Sequence, residues 1–178
     1  MQLSKKIHKK KISKFTERFF SDIFVFNNNF INLLKDKANK SKNKSYRILF
    51  HKNNHHLTHE MMICFKKDAV VPVHKHPLKR SESYHIVEGS MDIYFFKDNG
   101  KPIGYVKLSK KSNFYYRLSS SKFHLLVPTS DYLIYHETVT GPFIRKSDII
   151  YPKWGDNFNN LSKINSFIKI NKNVVKKL

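Results

Sequence analysis

The segment from Pro72 to Gly89 reads PVHKHPLKRSESYHIVEG. His74 and His76 stand two residues apart, five residues separate His76 from Glu82, and Gly89 closes the segment. Alternate side chains of a strand share one face, so His74 and His76 can aim two imidazoles at one point. Two neutral imidazoles with a carboxylate are a ligand set for a first-row divalent metal. Val70–Val73 leads into the pair and Ile86–Gly89 leads away from the glutamate. The set therefore belongs at a strand end beside a turn, where barrel mouths carry sites. A third imidazole, His124, opens the apolar run FHLLVP. If buried there, it has to be satisfied by a hydrogen bond or by a metal.

Other residues carry two readings each. Arg47 and Arg117 sit between apolar neighbours in strand-like stretches. They either pack their stems on a barrel and pair with a carboxylate or form a fork for a substrate phosphate or carboxylate. Glu137 is a general base, a partner for a ligating histidine, or half of a salt bridge. Tyr84 and Tyr116 line a barrel mouth or fill the barrel. His51, His55, His56 and His59 cluster around Asn53, Asn54 and Thr58, which reads as a solvated loop rather than a second metal site. Cys64, the single cysteine, lies in MMICF. It reads as a buried, inert thiol, and a chain without a second cysteine suits a reducing, cytoplasmic setting.

The elements that must position these groups are short. Segments rich in β-branched and aromatic residues recur at Tyr46–Phe50, Met61–Phe65, Val70–His74, Tyr84–Glu88, Met91–Phe96, Tyr105–Leu108, Phe114–Leu118, Phe123–Val127 and Tyr132–Val139. Turn residues separate them, Asp98-Asn99-Gly100 being the strongest hairpin signal. Regular short strands predict an all-β sandwich or barrel over residues 45–155. Upstream, residues 1–14 form a Lys-rich arm expected to be mobile. Phenylalanines at 15, 19, 20 and 24 with Ile23 recur at i+4, which predicts an amphipathic helix. Asn29 would cap a second helix running to Ala38. Residues 1–44 are thus a basic arm with a helical extension. Residues 156–178 are a basic tail whose stretch Ile164–Ile170 suits a short helix or strand.

The net charge of +21 invites a polyanion partner. However, residues 45–155 carry a net +8 and the flanks +13. Of 34 basic residues, 29 are lysine and five arginine, whereas nucleic-acid sites favour arginine for bidentate and stacking contacts. A specific nucleic-acid partner is not expected, and weak contact of the tails with anionic surfaces is what remains. No apolar run approaches the roughly 18–20 residues of a membrane span, and no secretory signal follows the basic N-terminus.

His74-x-His76, Glu82, Gly89 and the later His124 together resemble the cupin metal signature. YRILFH at 46–51, HKHPLKRSESYHIVEGSMDIYFFKDNG at 74–100, YYRL at 115–118, FHLLVP at 123–128 and HETVTGPF at 136–143 resemble, more narrowly, the WbuC family of cupin metalloproteins. This resemblance covers roughly residues 28–155. The chain departs from the cupin pattern in having five residues between His76 and Glu82 rather than three or four. It also has Ser119–Lys122 where a Pro-x-Gly precedes the last histidine. The resemblance implies an all-β cupin core, a double-stranded β-helix of jelly-roll type, with an N-terminal helical extension. It implies a divalent transition metal (Fe, Mn, Ni or Zn) on His74, His76, Glu82 and His124. It further implies a sugar or nucleotide-sugar intermediate of bacterial O-antigen and surface-polysaccharide biosynthesis as the small-molecule partner. A metal-dependent isomerase, epimerase or oxygenase would use Glu137 and Tyr116 as catalytic groups and Arg47, Arg117 and Tyr84 as substrate contacts. The alternative is a non-catalytic sugar- or anion-binding module. Pairing through strands makes a homodimer a candidate assembly.

Overall fold

A computed structural model describes residues 8–171 and 175–178. In chain order the elements are β1 (His8–Ser13), β2 (Thr16–Phe20), α1 (Asn28–Lys40), β3 (Ser45–Leu49), β4 (Thr58–Lys66), β5 (Glu82–Glu88), β6 (Ser90–Phe96), β7 (Pro102–Ser109), β8 (Tyr115–Leu118), β9 (Phe123–Pro128) and β10 (Tyr132–Thr140). A short helix α2 (Arg145–Asp148), a 3₁₀ turn (Gly155–Phe158) and α3 (Leu161–Asn171) follow. One sheet runs β1-β2-β3-β4-β10-β5-β8 and the other β7-β6-β9. This is an all-β core of the cupin type with an N-terminal helical extension.

The central strands of both sheets are covered on both faces, which explains their unbroken apolar runs. On β4, Met61, Ile63 and Phe65 face the interior between the sheets, where they meet Ile86, Ile93 and Leu133. Met62 and Cys64 alternate to the other face and pack under Leu34 and Ala38 of α1. On β6, Ile93 and Phe95 point inward. Tyr94 and Phe96 point outward, beneath Phe158, Ile164 and Phe167 of the C-terminal segment. The thiol of Cys64 is fully buried, and burial pushes it up to about 12, so it stays protonated. Gly89, at φ +82°, makes the β5–β6 turn where a side chain would collide with Tyr132 and Ser130.

The N-terminal region departs from the expected helix. Thr16–Phe20 is a strand, hairpinned to β1 and parallel to β3. Its phenylalanines are not a helical stripe. Phe19 packs edge-on to Phe24 and Phe30, in a cluster that seals α1 to the sheet. The arm is a strand from His8 onward, and its first seven residues lie outside the described residues. The cap of α1 is Asn27, not Asn29: the Asn27 side-chain oxygen accepts from the amides of Asn29 and Phe30. Val70–His74 is not a continuous strand; only His74 and Lys75 make isolated bridges, to His124 and Ile150. The apolar stretch Ile164–Ile170 is helical, within α3.

Candidate metal centre

Strand register carries the chemical groups to one place. Arg18, Leu49, Met61, Glu137, Tyr84 and Tyr116 are successive partners across β2, β3, β4, β10, β5 and β8. One pleat along, His59, Val139 and Glu82 are partners across β4, β10 and β5. Residues in register share a face, and Met61, Tyr84 and Val139 place that face toward the interior. On the opposite sheet, His124 and Leu126 alternate inward from β9. The His74–Lys75–His76 segment lies between β9 and the residues after α2. His74 exchanges two backbone hydrogen bonds with His124, and Lys75 exchanges two with Ile150.

The ligating nitrogens of His74, His76 and His124 lie within 4.8 Å of one another. Each ring is fixed through Nδ1. His74 Nδ1 donates to the Pro72 carbonyl (2.9 Å), His76 Nδ1 to that of Asp148 (2.6 Å) and His124 Nδ1 to that of Lys122 (3.0 Å). A carbonyl only accepts, so each Nδ1 carries a proton and each Nε2 is the ring atom left for a metal. Carbonyl-anchored imidazoles of this kind are the usual support for a ligating histidine.

Glu82, 2% exposed, faces this group. Its Oε1 lies 3.2 Å from His124 Nε2, and its Oε2 lies 3.4 Å from His76 Nε2. Oε1 and the His124 nitrogen face each other without hydrogen-bond geometry, and both are buried and otherwise unpartnered. Two ligands bonded at about 2.1 Å and roughly 90–110° apart around a metal stand about 3.0–3.4 Å from each other. The spacing and the orphaned atoms therefore fit a divalent ion held by three imidazoles and one carboxylate. The extra residue before Glu82 is absorbed in a turn, where the Arg80 amide donates to the Pro77 carbonyl. That turn swings Arg80 inward and leaves Glu82 as the first residue of β5. The Tyr84 hydroxyl donates to Glu82 Oε2 at 2.7 Å.

The electrostatics differ between the rings: burial disfavours the charged form of His76, but the Glu82 carboxylate and the Asp148 carbonyl outweigh it and raise that imidazole above its ordinary value. Burial pushes the His74 imidazole down to about 3, with His124 and His76 adding to the effect. Burial opposes ionisation of Glu82, but His124, His76 and the Tyr84 hydroxyl outweigh it and hold the carboxyl at about 2. Glu137 is raised to about 7 by burial and by the nearby Glu82 charge.

The centre opens on a cavity of about 600 Å³ between the sheets. Of the residues singled out from sequence, His74, His76, Tyr84, Glu137 and Arg47 line it. Two candidates are placed elsewhere. Arg117 lies exposed on β8, with long contacts to Ser81 and Ser83. Tyr116 is buried against Tyr84 and Phe95, outside the cavity lining. The 51–59 segment also differs from the solvated loop expected. His55 and His56 are exposed, but His51 and His59 are buried and stacked at 4.0 Å. Sequence reasoning placed His51 and His59 in a loop and did not single out Arg18 and Arg80; all four line the cavity. The available signal was the scarcity of arginine.

Comparison with known proteins supports the architecture. A family model described as a domain of unknown function, DUF6016, matches residues 26–108, which takes in α1, His74, His76 and Glu82. No curated protein matches the chain. Among solved structures, the chain is similar to the capsular polysaccharide assembling protein CapF from Staphylococcus aureus, at 17% identity and a TM-score of 0.52 over 60% of this chain and 29% of CapF. It is similar to CapF bound to the inhibitor 3-isopropenyl-tropolone at 16% identity and TM-score 0.54, over 63% of this chain and 32% of that one. Protein SO0799 from Shewanella oneidensis is similar at 10% identity and TM-score 0.54, over 85% of this chain and 98% of that one. The chain thus covers less than a third of CapF and nearly all of SO0799. Among the described residues, no helix is long and apolar enough to cross a membrane.

Proposed function

We propose that the chain is a metal-binding cupin acting on a sugar or nucleotide-sugar intermediate in bacterial surface-polysaccharide biosynthesis. One observation carries the metal assignment: three carbonyl-anchored imidazoles gather beside one buried carboxylate. His74, His76, His124 and Glu82 would hold the ion. When bound, it would polarise a carbonyl or lower the pKa of a bound water. The polysaccharide context is supported by the WbuC-like sequence pattern and by the fold shared with CapF, itself named for capsular polysaccharide assembly.

The chain's own residues supply the remaining parts. Glu137 lines the cavity and is poised to exchange a proton near neutral pH, which is what a general acid or base needs. Tyr84 holds Glu82 in place through its hydroxyl. Arg47, exposed at the cavity, is a fork for an anionic part of the substrate. The walls formed by Leu49, Met61, Phe65 and Leu126 keep the ligand's apolar face from water.

The test is turnover of a nucleotide-sugar panel by the metal-loaded full chain, its Glu137→Gln variant and the His74→Ala/His76→Ala double variant. The proposal expects Glu137→Gln to keep its metal and lose turnover by about 10²–10⁴-fold, and the double variant to lose both. Metal-dependent binding of the panel without any product would assign the chain to the non-catalytic binding class.

A further inference from the structure

Arg18, Arg80, His51 and His59 form a second group on the cavity wall. All four are more than nine-tenths buried. They come from β2, the turn before β5, the residue after Phe50 and the start of β4, so the N-terminal hairpin completes the group. Arg18 Nη2 donates to Asn54 Oδ1 at 2.9 Å and lies 3.4 Å from His51 Nε2. His51 Nδ1 donates to the Glu60 carbonyl, so its Nε2 is the acceptor of that contact. The His59 ring stacks on His51, and Gly141 allows backbone to lie against its edge.

Three polar atoms of this group are buried without a partner: Arg18 Nε, Arg80 Nε and His59 Nε2. Arg80 has a carboxylate, Asp148, at 3.2 Å. Arg18 has none among the described residues; its only side-chain partners are an amide oxygen and an imidazole. A buried guanidinium without a counter-ion is an unfavourable arrangement that a bound anion would relieve. Composition points the same way. Four of the chain's five arginines line this cavity, and none of its 29 lysines does among the described residues. A lysine-rich chain that places its arginines in one cavity concentrates there the side chain suited to oxyanions.

We infer that Arg18, Arg80 and His59, with His51 orienting Arg18, form a phosphoryl-binding subsite, which anchors a phosphate group of the ligand whose sugar reaches the His74–His76–His124 centre. Two guanidiniums on one cavity wall offer more N–H donors than the two oxygens of a carboxylate use, and they suit the three outer oxygens of a phosphoryl group. The inference deepens the function proposed above, because it names the anionic part of the same ligand, but the subsite itself does not depend on the metal.

The test is calorimetric titration of the full chain with inorganic phosphate, uridine 5′-diphosphate and glucuronate, with metal content measured on each sample. Wild type is expected to bind the diphosphate, and Arg18→Met and His59→Gln are each expected to weaken it at least tenfold with metal content unchanged. Equal binding of phosphate and diphosphate would locate recognition in a single phosphoryl group, and tighter diphosphate binding would extend it to the second; both support the subsite. Arg18→Met should also raise the ligand-free melting temperature, because it removes an uncompensated buried charge. A fall in that temperature would make Arg18 a structural residue and overturn the inference. So would diphosphate binding unaffected by either variant, absence of diphosphate binding, or glucuronate bound as tightly with the same dependence on Arg18. Phosphoryl binding by a wild-type chain that takes up no metal would instead overturn only the metal assignment.

Discussion

The two groups on the cavity wall are opposites in charge. At one, three imidazoles and the ionised Glu82 gather nitrogen and oxygen donors suited to a cation. At the other, Arg18 presents buried positive charge with no carboxylate partner among the described residues, and Arg80 and His59 hold further buried atoms without hydrogen bonds there. Each group is rigid through contacts that leave the functional atoms unused: carbonyls on Nδ1 at the first, Asn54 and Asp148 on the guanidiniums at the second. Asp148 touches both. Its carboxylate receives Arg80 and the amide of Ile144, while its backbone carbonyl receives His76. A polar group left unmatched inside a folded chain costs stability, and a bound ligand is one way to recover it.

The sharpest way to break this comparison is to treat the two arginines alike. Asp148→Ala strands Arg80 in a site where it is nearly inaccessible, and breaking a buried pair from one side costs about 3–5 kcal/mol. Urea unfolding should show that loss, whereas Arg18→Met should show a gain. If both variants lose stability to a similar degree, Arg18 is matched in some way and the contrast fails. Next in size, Tyr84→Phe removes the hydroxyl that holds Glu82. Its metal affinity, measured by competition with a chelator, should fall by about 10–100-fold, while diphosphate binding stays as in wild type.

Acid stability gives a smaller effect. Burial, with His59 and Arg18 contributing, lowers the His51 imidazole to about 4 from an ordinary 6.5. Its neutral form is the one the fold accommodates, so its contribution is complete above about pH 6.5 and is lost as pH falls through about 4. The ligand-free chain should lose stability over that window. His51→Gln should flatten that limb, as read from unfolding midpoints between pH 7 and 4; an unchanged slope would show that His51 is not buried neutral. The smallest effect belongs to Arg117→Ala. This exposed side chain should change stability by less than about 0.5 kcal/mol and leave metal and phosphoryl binding intact.

The all-β core and the grouping of the three histidines were legible because each depends on local pattern. The period of two in Met61–Phe65 and Met91–Phe96 survives into the two sheets. His74, His76 and Glu82 needed only a strand end and a turn. His124 was legible as a polar residue inside an apolar run, and the backbone bonds between it and His74 explain why the two converge. The arginine group was hidden because it is assembled across long separations. Arg18 reaches His51 and Asn54 only once β2 lies parallel to β3, and a phenylalanine-rich stretch at i+4 spacing conceals that strand. The polar loop at 52–57 likewise masked its two ends, where His51 and His59 turn inward while His55 and His56 stay outside. Tyr116 shares a register row with Tyr84 but sits one strand beyond the cavity, a distinction no sequence pattern carries.

The most direct test of the central claim is elemental analysis of the purified full chain beside its His74→Ala/His76→Ala double variant, each offered Fe, Mn, Ni and Zn before dialysis. The account predicts about one transition-metal ion per wild-type chain and essentially none in the double variant, because each ion needs both imidazoles to complete its ligand set. Equal metal content in the two proteins, or none in either, would contradict it.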